Sequence, residues 1–229
     1  MPQGTNIPDL GAIRARLARL QAALADGMSR KRCLRRWSDF IRERDGHRCV
    51  DCHSRRSLSA HHICRKSFLE AAQFLTGNGV TLCSACHKET HEGFNRCPDL
   101  SQPVDAQGGE KLQKMERLYS ILTDDAVERG LMHEEFYFLS DEVLACFKQM
   151  QGYAPETFFP GARVEQAYLV LAEAEFSTRR AMLEADDMPA PDRPLLPGGM
   201  YLVFAAQNDQ PRESIVIQNY VPRWKTEPR

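Results

Sequence analysis

Two Cys-x-x-Cys pairs, Cys49/Cys52 and Cys83/Cys86, stand close in the chain to His61 and His62 between them and His87 and His91 just after them, four of the seven histidines in 229 residues. Thiolates and imidazoles in this density are metal ligands by type. Two such knuckles can supply four thiolates to one tetrahedral ion at about 2.3 Å each, a closed structural site for which zinc is the first candidate. Eight cysteines in a chain with no export signal are better used on metal than on disulfides, because a reducing compartment keeps thiols free. The 30 residues between the pairs exceed the usual zinc-ribbon gap of about 15 to 20, so something is inserted between the knuckles. That insertion carries the doubled histidine and Asn78. The second knuckle opens a helix on which His87 and His91, four apart, share a face and can chelate a second ion. Adjacent histidines such as His61 and His62 point to opposite faces of a strand, an arrangement ill suited to core packing.

Cys33, Cys64, Cys97 and Cys146 have no partner at ligand spacing, although Cys64 or Cys97 lies near enough to stand in for one zinc ligand. His47 and His53 flank the first knuckle and read as surface or supporting groups.

Charge is divided along the chain. Residues 1–100 hold 17 Lys and Arg against 10 Asp and Glu, whereas residues 101–229 hold 13 against 21. The basic half contains the metal motifs and suits a polyanionic partner; the acidic half repels one. Arg30, Lys31, Arg32, Arg35 and Arg36 crowd together directly before the first knuckle and can grip phosphates, though a solvated face has the same composition. No apolar run reaches the roughly 18 residues of a membrane helix, and the start lacks a signal-peptide pattern, so the expectation is a soluble cytoplasmic protein.

Taken in order, "CVDC", "AHHI" and "NGVTLCSACHKETH", with the lead-in "WSDFIRERDGHRC", resemble the HNH family of endonucleases. In that family two strands and a helix enclose a catalytic metal, and many members add a four-cysteine zinc site. The resemblance covers residues 45–92, about a quarter of the chain, and extends to Trp37 if the lead-in is included. It implies that His61 is a metal ligand where other members place Asp. His62 is then the general base that activates water, and Asn78 the amide that braces the loop and orients that base. His87 closes the motif, and His91 is the additional ligand found in the colicin nucleases. It further implies DNA, double-stranded, as substrate, 5′-phosphate and 3′-hydroxyl products, and Mg2+, Mn2+, Ni2+ or Zn2+ as the catalytic ion. Nitrogen ligands favour the transition metals and abundance favours Mg2+. Arg65 and Lys66, just beyond the base, can touch the backbone phosphate. A single such site cuts one strand, so a double-strand break requires a homodimer or two visits. A zinc-stapled nucleic-acid-binding or adaptor module without catalysis is the rival reading, and a nuclease acting on structured RNA another.

The positioning elements follow from periodicity. Leu10, Ile13, Leu17, Leu20 and Leu24 form one helical stripe that Gly27 ends. A short helix is expected over "SDFIRERDG", and further helices at 110–123, 124–130, 140–151 and 162–186, the third opened by Ser140. "DMPAPDRPLLPGG" breaks the pattern, and "MYLVFAA" and "SIVIQNYV" read as a hairpin. The expected architecture is α+β: an N-terminal amphipathic helix at 1–29, a zinc-stapled ββα nuclease module at 30–97, a linker at 98–110, and a mostly helical domain at 111–229 with a terminal hairpin. That last domain is left for target selection, dimerisation or a protein partner.

Overall fold

The computed structural model describes residues 8–100 and 111–172 and the backbone of 195–196, 200–204 and 215–219. It is α+β, with six α-helices among the described residues. Helix α1 (Leu10–Ala25) is capped by the Asp9 side chain, which accepts from Ala12 N at 3.0 Å. Its Ile13, Leu17, Leu20 and Ala23 are buried, whereas Leu10 and Leu24 at the ends of the expected stripe are exposed.

Helix α2 (Arg30–Arg44) corrects the expectation of a short helix over "SDFIRERDG". The basic run forms its first two turns. Cys33, Trp37, Phe40, Ile41 and Arg44, spaced at three and four, are its buried face. That stripe docks α2 onto α1 and onto the sheet and leaves Arg30, Lys31, Arg32, Arg35 and Arg36 exposed.

Strands β1 (Leu58–His62) and β2 (Gly79–Cys83) pair antiparallel in the register Leu58↔Cys83 through His62↔Gly79. Helix α3 (Ser84–Thr90) follows β2 without a gap. Gly79 is what lets α2 lie this close. A Cβ there would stand 2.5 Å from Trp37 Cζ2 and 2.7 Å from Ile41 Cδ1. Gly79→Ala is therefore expected to cost about 1–3 kcal/mol by overpacking, read as a lower urea midpoint. An unchanged midpoint would show that the Trp37 ring yields freely.

Helix α4 (Leu112–Glu128) is one uninterrupted helix where two, at 110–123 and 124–130, were expected. The helix runs through the expected boundary at 123/124, where Leu122, Asp125 and Ala126 are all buried. Helix α5 (Asp141–Met150) is capped by Ser140 as expected, its hydroxyl accepting from Val143 N at 3.3 Å. Helix α6 is described over Arg163–Ala172, and the rest of the expected 162–186 helix lies outside the described residues. So do 101–110, which hold most of the expected linker.

The expected hairpin is formed by β4 (Met200–Phe204) and β5 (Ile215–Asn219), antiparallel, and β3 (Leu195–Leu196), within the proline-rich segment, adds a third strand to β4. Buried residues of α1, α2, the two-stranded sheet, α4, α5 and α6 form one continuous apolar core, so no division runs through it at the expected linker.

One buried ion pair anchors this core. Arg44, wholly buried, donates through Nε to Asp45 Oδ1 (2.7 Å), through Nη1 to the carbonyls of Thr76 (2.7 Å) and Phe136 (3.2 Å), and through Nη2 to that of Gly79 (2.6 Å). Its guanidinium lies 4.4 Å from the Tyr137 ring centre. The second oxygen of Asp45 accepts from Thr81 N at 2.7 Å. A buried charge with this many partners is tolerated because little of its hydrogen-bonding capacity is left unused.

Candidate metal centre and adjoining histidine

The Cys-x-x-Cys turn after α2 and the junction of β2 with α3 bring Cys49, Cys52, Cys83 and Cys86 together, their sulfurs all within 4.8 Å of one another. Val50 N donates to Thr81 O at 2.9 Å, which fastens the first knuckle alongside β2. Cys52 Sγ and Cys83 Sγ are 3.5 Å apart, close to the roughly 3.8 Å edge of a tetrahedron with 2.3 Å bonds. Four thiols so arranged can hold a metal ion such as zinc. The backbone amide of Cys86 points at Cys83 and lowers its thiol to about 7, so one thiolate is ready near neutral pH. Burial, followed by shared hydrogen bonds with Cys52 and Cys83, pushes Cys86 up, so a metal would have to displace that proton. Cys64 and Cys97 are outside the quartet, and His53, exposed, is paired with Arg48 instead.

A second cluster is made by His61 of β1, His87 of α3 and His91, the residue that caps α3, whose ligand nitrogens also lie within 4.8 Å of one another. The rings form a near-equilateral triangle, with centres 4.9, 5.0 and 4.6 Å apart and planes crossed at 75–83°. His87 Nε2 and His91 Nε2 are 3.1 Å apart. Nitrogen ligands at about 2.1 Å from one ion stand about 3.0 Å apart at right angles and 3.4 Å apart in a tetrahedron, so the pair fits a shared ion. Asn95, exposed, brings its amide within 3.1 Å of His91 Nδ1; with that amide turned, Oδ1 would accept from Nδ1–H and leave Nε2 to the ion. Burial first, and then the neighbouring His87, His91 and His62, lower His61 to about 3, which keeps it a neutral donor.

His62 lies on the other face of β1. Its ring stacks on Trp37 at 4.0 Å and 7°, and its Nε2 is 2.9 Å from the carbonyl of Gln73. A carbonyl only accepts, so Nε2 bears the proton and Nδ1 the lone pair. Burial lowers His62 to about 4 against the Gln73 carbonyl, which raises it, and Lys66 and Arg30 add to the lowering. Arg30 in turn donates to Gln73 Oε1 at 3.1 Å, so the cationic end of α2 lies beside this imidazole. Trp37 is fixed by its Nε1 donating to Leu75 O at 3.0 Å.

Asn78, fully buried, accepts from Cys64 N (2.7 Å) and donates to the carbonyls of Cys64 (3.0 Å) and Ala72 (2.9 Å). It thereby closes the segment between β1 and β2 and sets the run that carries Gln73. Arg65 lies 4.1 Å from the Phe94 ring centre and lines a cleft shared with His61, His91, Lys111 and Lys114. Lys66 is exposed.

Sequence reasoning found the ligand types but missed Trp37, Gln73 and Lys114. Gln73 acts through a backbone carbonyl, which no residue type announces. The signal for Trp37 is Gly79, a glycine inside a strand that marks close approach of another element.

Because His61 and His62 stay neutral when folded but titrate near 6.5 when unfolded, acid favours the unfolded chain. Stability is full above about pH 6.5 and falls, by about 1.4 kcal/mol per pH unit for each group, as the pH drops towards about 4 and 3. Urea unfolding of protein with one zinc per chain at pH 7.5 and 5.5 is expected to show this slope, and His61→Asn to flatten it. An equal slope in that variant would remove His61 from the account.

No family model, curated protein or solved structure matches this chain. No described helix is long and apolar enough to cross a membrane.

Proposed function

We propose that the chain is a metal-dependent endonuclease of the HNH type, its β1, β2 and α3 forming the ββα unit and its substrate DNA, double-stranded. The observation that supports this most is the division of labour on one strand. His61 joins His87 and His91 to make a neutral three-nitrogen site, and His62, its neighbour, is held on the opposite face with a free Nδ1 lone pair. Phosphodiester hydrolysis needs both parts, a base for the attacking water and something to neutralise charge on the phosphate and the leaving 3′ oxygen. A divalent ion held by the three histidines would supply Lewis acidity to the phosphate.

The residues of the chain do the rest. His62 takes the water proton on Nδ1, with the Gln73 carbonyl and the Trp37 face fixing the ring so that one nitrogen is presented. A bound phosphodiester adds negative charge beside this imidazole and moves its pKa back towards the range useful for a base. Arg30, Lys31, Arg32, Arg35 and Arg36, exposed at the cationic end of α2, and Lys66 provide the field that holds a polyanion. Cys49 and Cys52 of the first knuckle and Cys83 and Cys86 at the start of α3 would hold zinc between them, which would support His87.

Supercoiled-plasmid cleavage tests the reading. Full-length protein with one zinc per chain should nick the plasmid in Mg2+ or Mn2+ and not in EDTA, and DNA ligase should reseal the nicks, as 5′-phosphate and 3′-hydroxyl ends allow. Protein that binds the plasmid but leaves it intact in every metal would point instead to a zinc-stapled binder. Cleavage confined to a structured RNA would change the substrate class.

A further inference from the structure

We infer that α4 is the brace of the three-histidine site, with Lys114 as the positioning residue that holds His87 and His91 towards His61. This rests on the metal-site reading above and assigns a role to part of the chain beyond residue 98.

Helix α3 cannot hold itself. It is seven residues long, has no buried residue and lacks a side-chain N-cap bond. A helix that short is far below the length at which helices persist alone, and although His91 N and Glu92 N close its last turn onto His87, Lys88 and Glu89, nothing in that turn reaches on to the carbonyls of Thr90 and Glu92. Yet two of the three ligands sit in its last turn and at its C-cap. Lys114 gathers this end of the helix from outside. Its ammonium group, with three donors, reaches the carbonyls of Glu89 at 2.8 Å, Glu92 at 2.9 Å and Thr90 at 3.4 Å, around the end of α3. A cation at a helix C-terminus also opposes the negative end of the helix dipole.

Arg117, one turn further along α4, adds a second tie, to carboxylates. It donates to both oxygens of Asp51, between Cys49 and Cys52, at 3.1 and 3.0 Å, and to Glu89 Oε1 at 3.0 Å. The first knuckle and α3 are thus tied to the same face of α4. Met115 and Leu118 from that helix line the cleft beside His61 and His91, so α4 forms a wall of the site as well as its strut. A lysine aimed at three carbonyls makes no ion pair through them; what it gains is the geometry of the segment that carries them.

The test uses tag-free full-length protein with one zinc per chain, and Ni2+ as the probe. Lys114→Met should bind Ni2+ about tenfold more weakly than wild type, the lower end of what loss of a supporting contact costs a metal site. Its His91 and Phe94 amides should exchange faster, with zinc content and urea midpoint little changed. Lys114→Arg, which keeps donors at the position, should recover part of the affinity. Ni2+ affinity and amide exchange both equal to wild type in Lys114→Met would overturn the brace. Wild type that binds no Ni2+, or His91→Ala that binds it as tightly as wild type, would overturn the metal reading itself, and the positioning of ligands with it.

Discussion

His62→Ala is expected to abolish plasmid nicking, by about 10²- to 10⁴-fold, the usual contribution of a general base. The expectation follows from how the ring is held. Stacking on Trp37 at 4.0 Å restricts its plane, and the hydrogen bond to the Gln73 carbonyl at 2.9 Å fixes the tautomer, so the lone pair has one direction. The variant should keep one zinc per chain and wild-type Ni2+ affinity, because His62 belongs to neither cluster. That pairing of lost cleavage with intact metal binding separates a base from a structural residue. Nicking at more than a tenth of the wild-type rate would transfer the role of base to another group. Gln73 offers a companion observation: since its contribution to His62 is a backbone carbonyl, Gln73→Glu or Gln73→Met should leave the tautomer unchanged and disturb mainly the Arg30 contact.

Arg44→Met is expected to lower stability by about 3–5 kcal/mol, the cost of leaving a buried charge without its partner. Asp45, also fully buried, would keep the Thr81 amide but lose its cation, and the carbonyls of Thr76, Phe136 and Gly79 would lose their donors together. For a domain whose whole stability is about 5–15 kcal/mol, the loss is a large share. Arg44→Lys should rescue little, since an ammonium cannot span acceptors arranged for a planar fork. Arg44→Met combined with Asp45→Asn should be less damaging than Arg44→Met alone, because no uncompensated carboxylate remains. Urea unfolding of the zinc-loaded proteins measures all three. A midpoint for Arg44→Met within error of wild type would mean that water reaches this pair.

How much of this was legible in the sequence depends on what kind of atom does the work. The cysteine quartet and the His87/His91 spacing were legible because ligand chemistry restricts both residue type and interval. The opposed directions of His61 and His62 were legible because a strand alternates. The full length of α2 was written in Cys33, Trp37, Phe40, Ile41 and Arg44, but the neighbouring cations obscured the stripe, and one of its buried members is itself an arginine. Lys114 was not legible at all: its acceptors are carbonyls of residues more than 20 positions away, and among 30 Lys and Arg nothing sets it apart. The Gln73 carbonyl was hidden for the same reason.

The continuous core has a consequence for how such a protein can change over time. Arg44 takes an acceptor from Phe136, Gly77 N donates to Phe138 O at 2.9 Å, and Arg48 pairs with Asp125, so the segment 30–97 is completed by atoms that come much later in the chain. It is not a detachable cassette. Recombination that moved it into another gene without the helices at 112–172 would deliver the ligands without their scaffold, and lineages carrying this ligand cluster should inherit both stretches together.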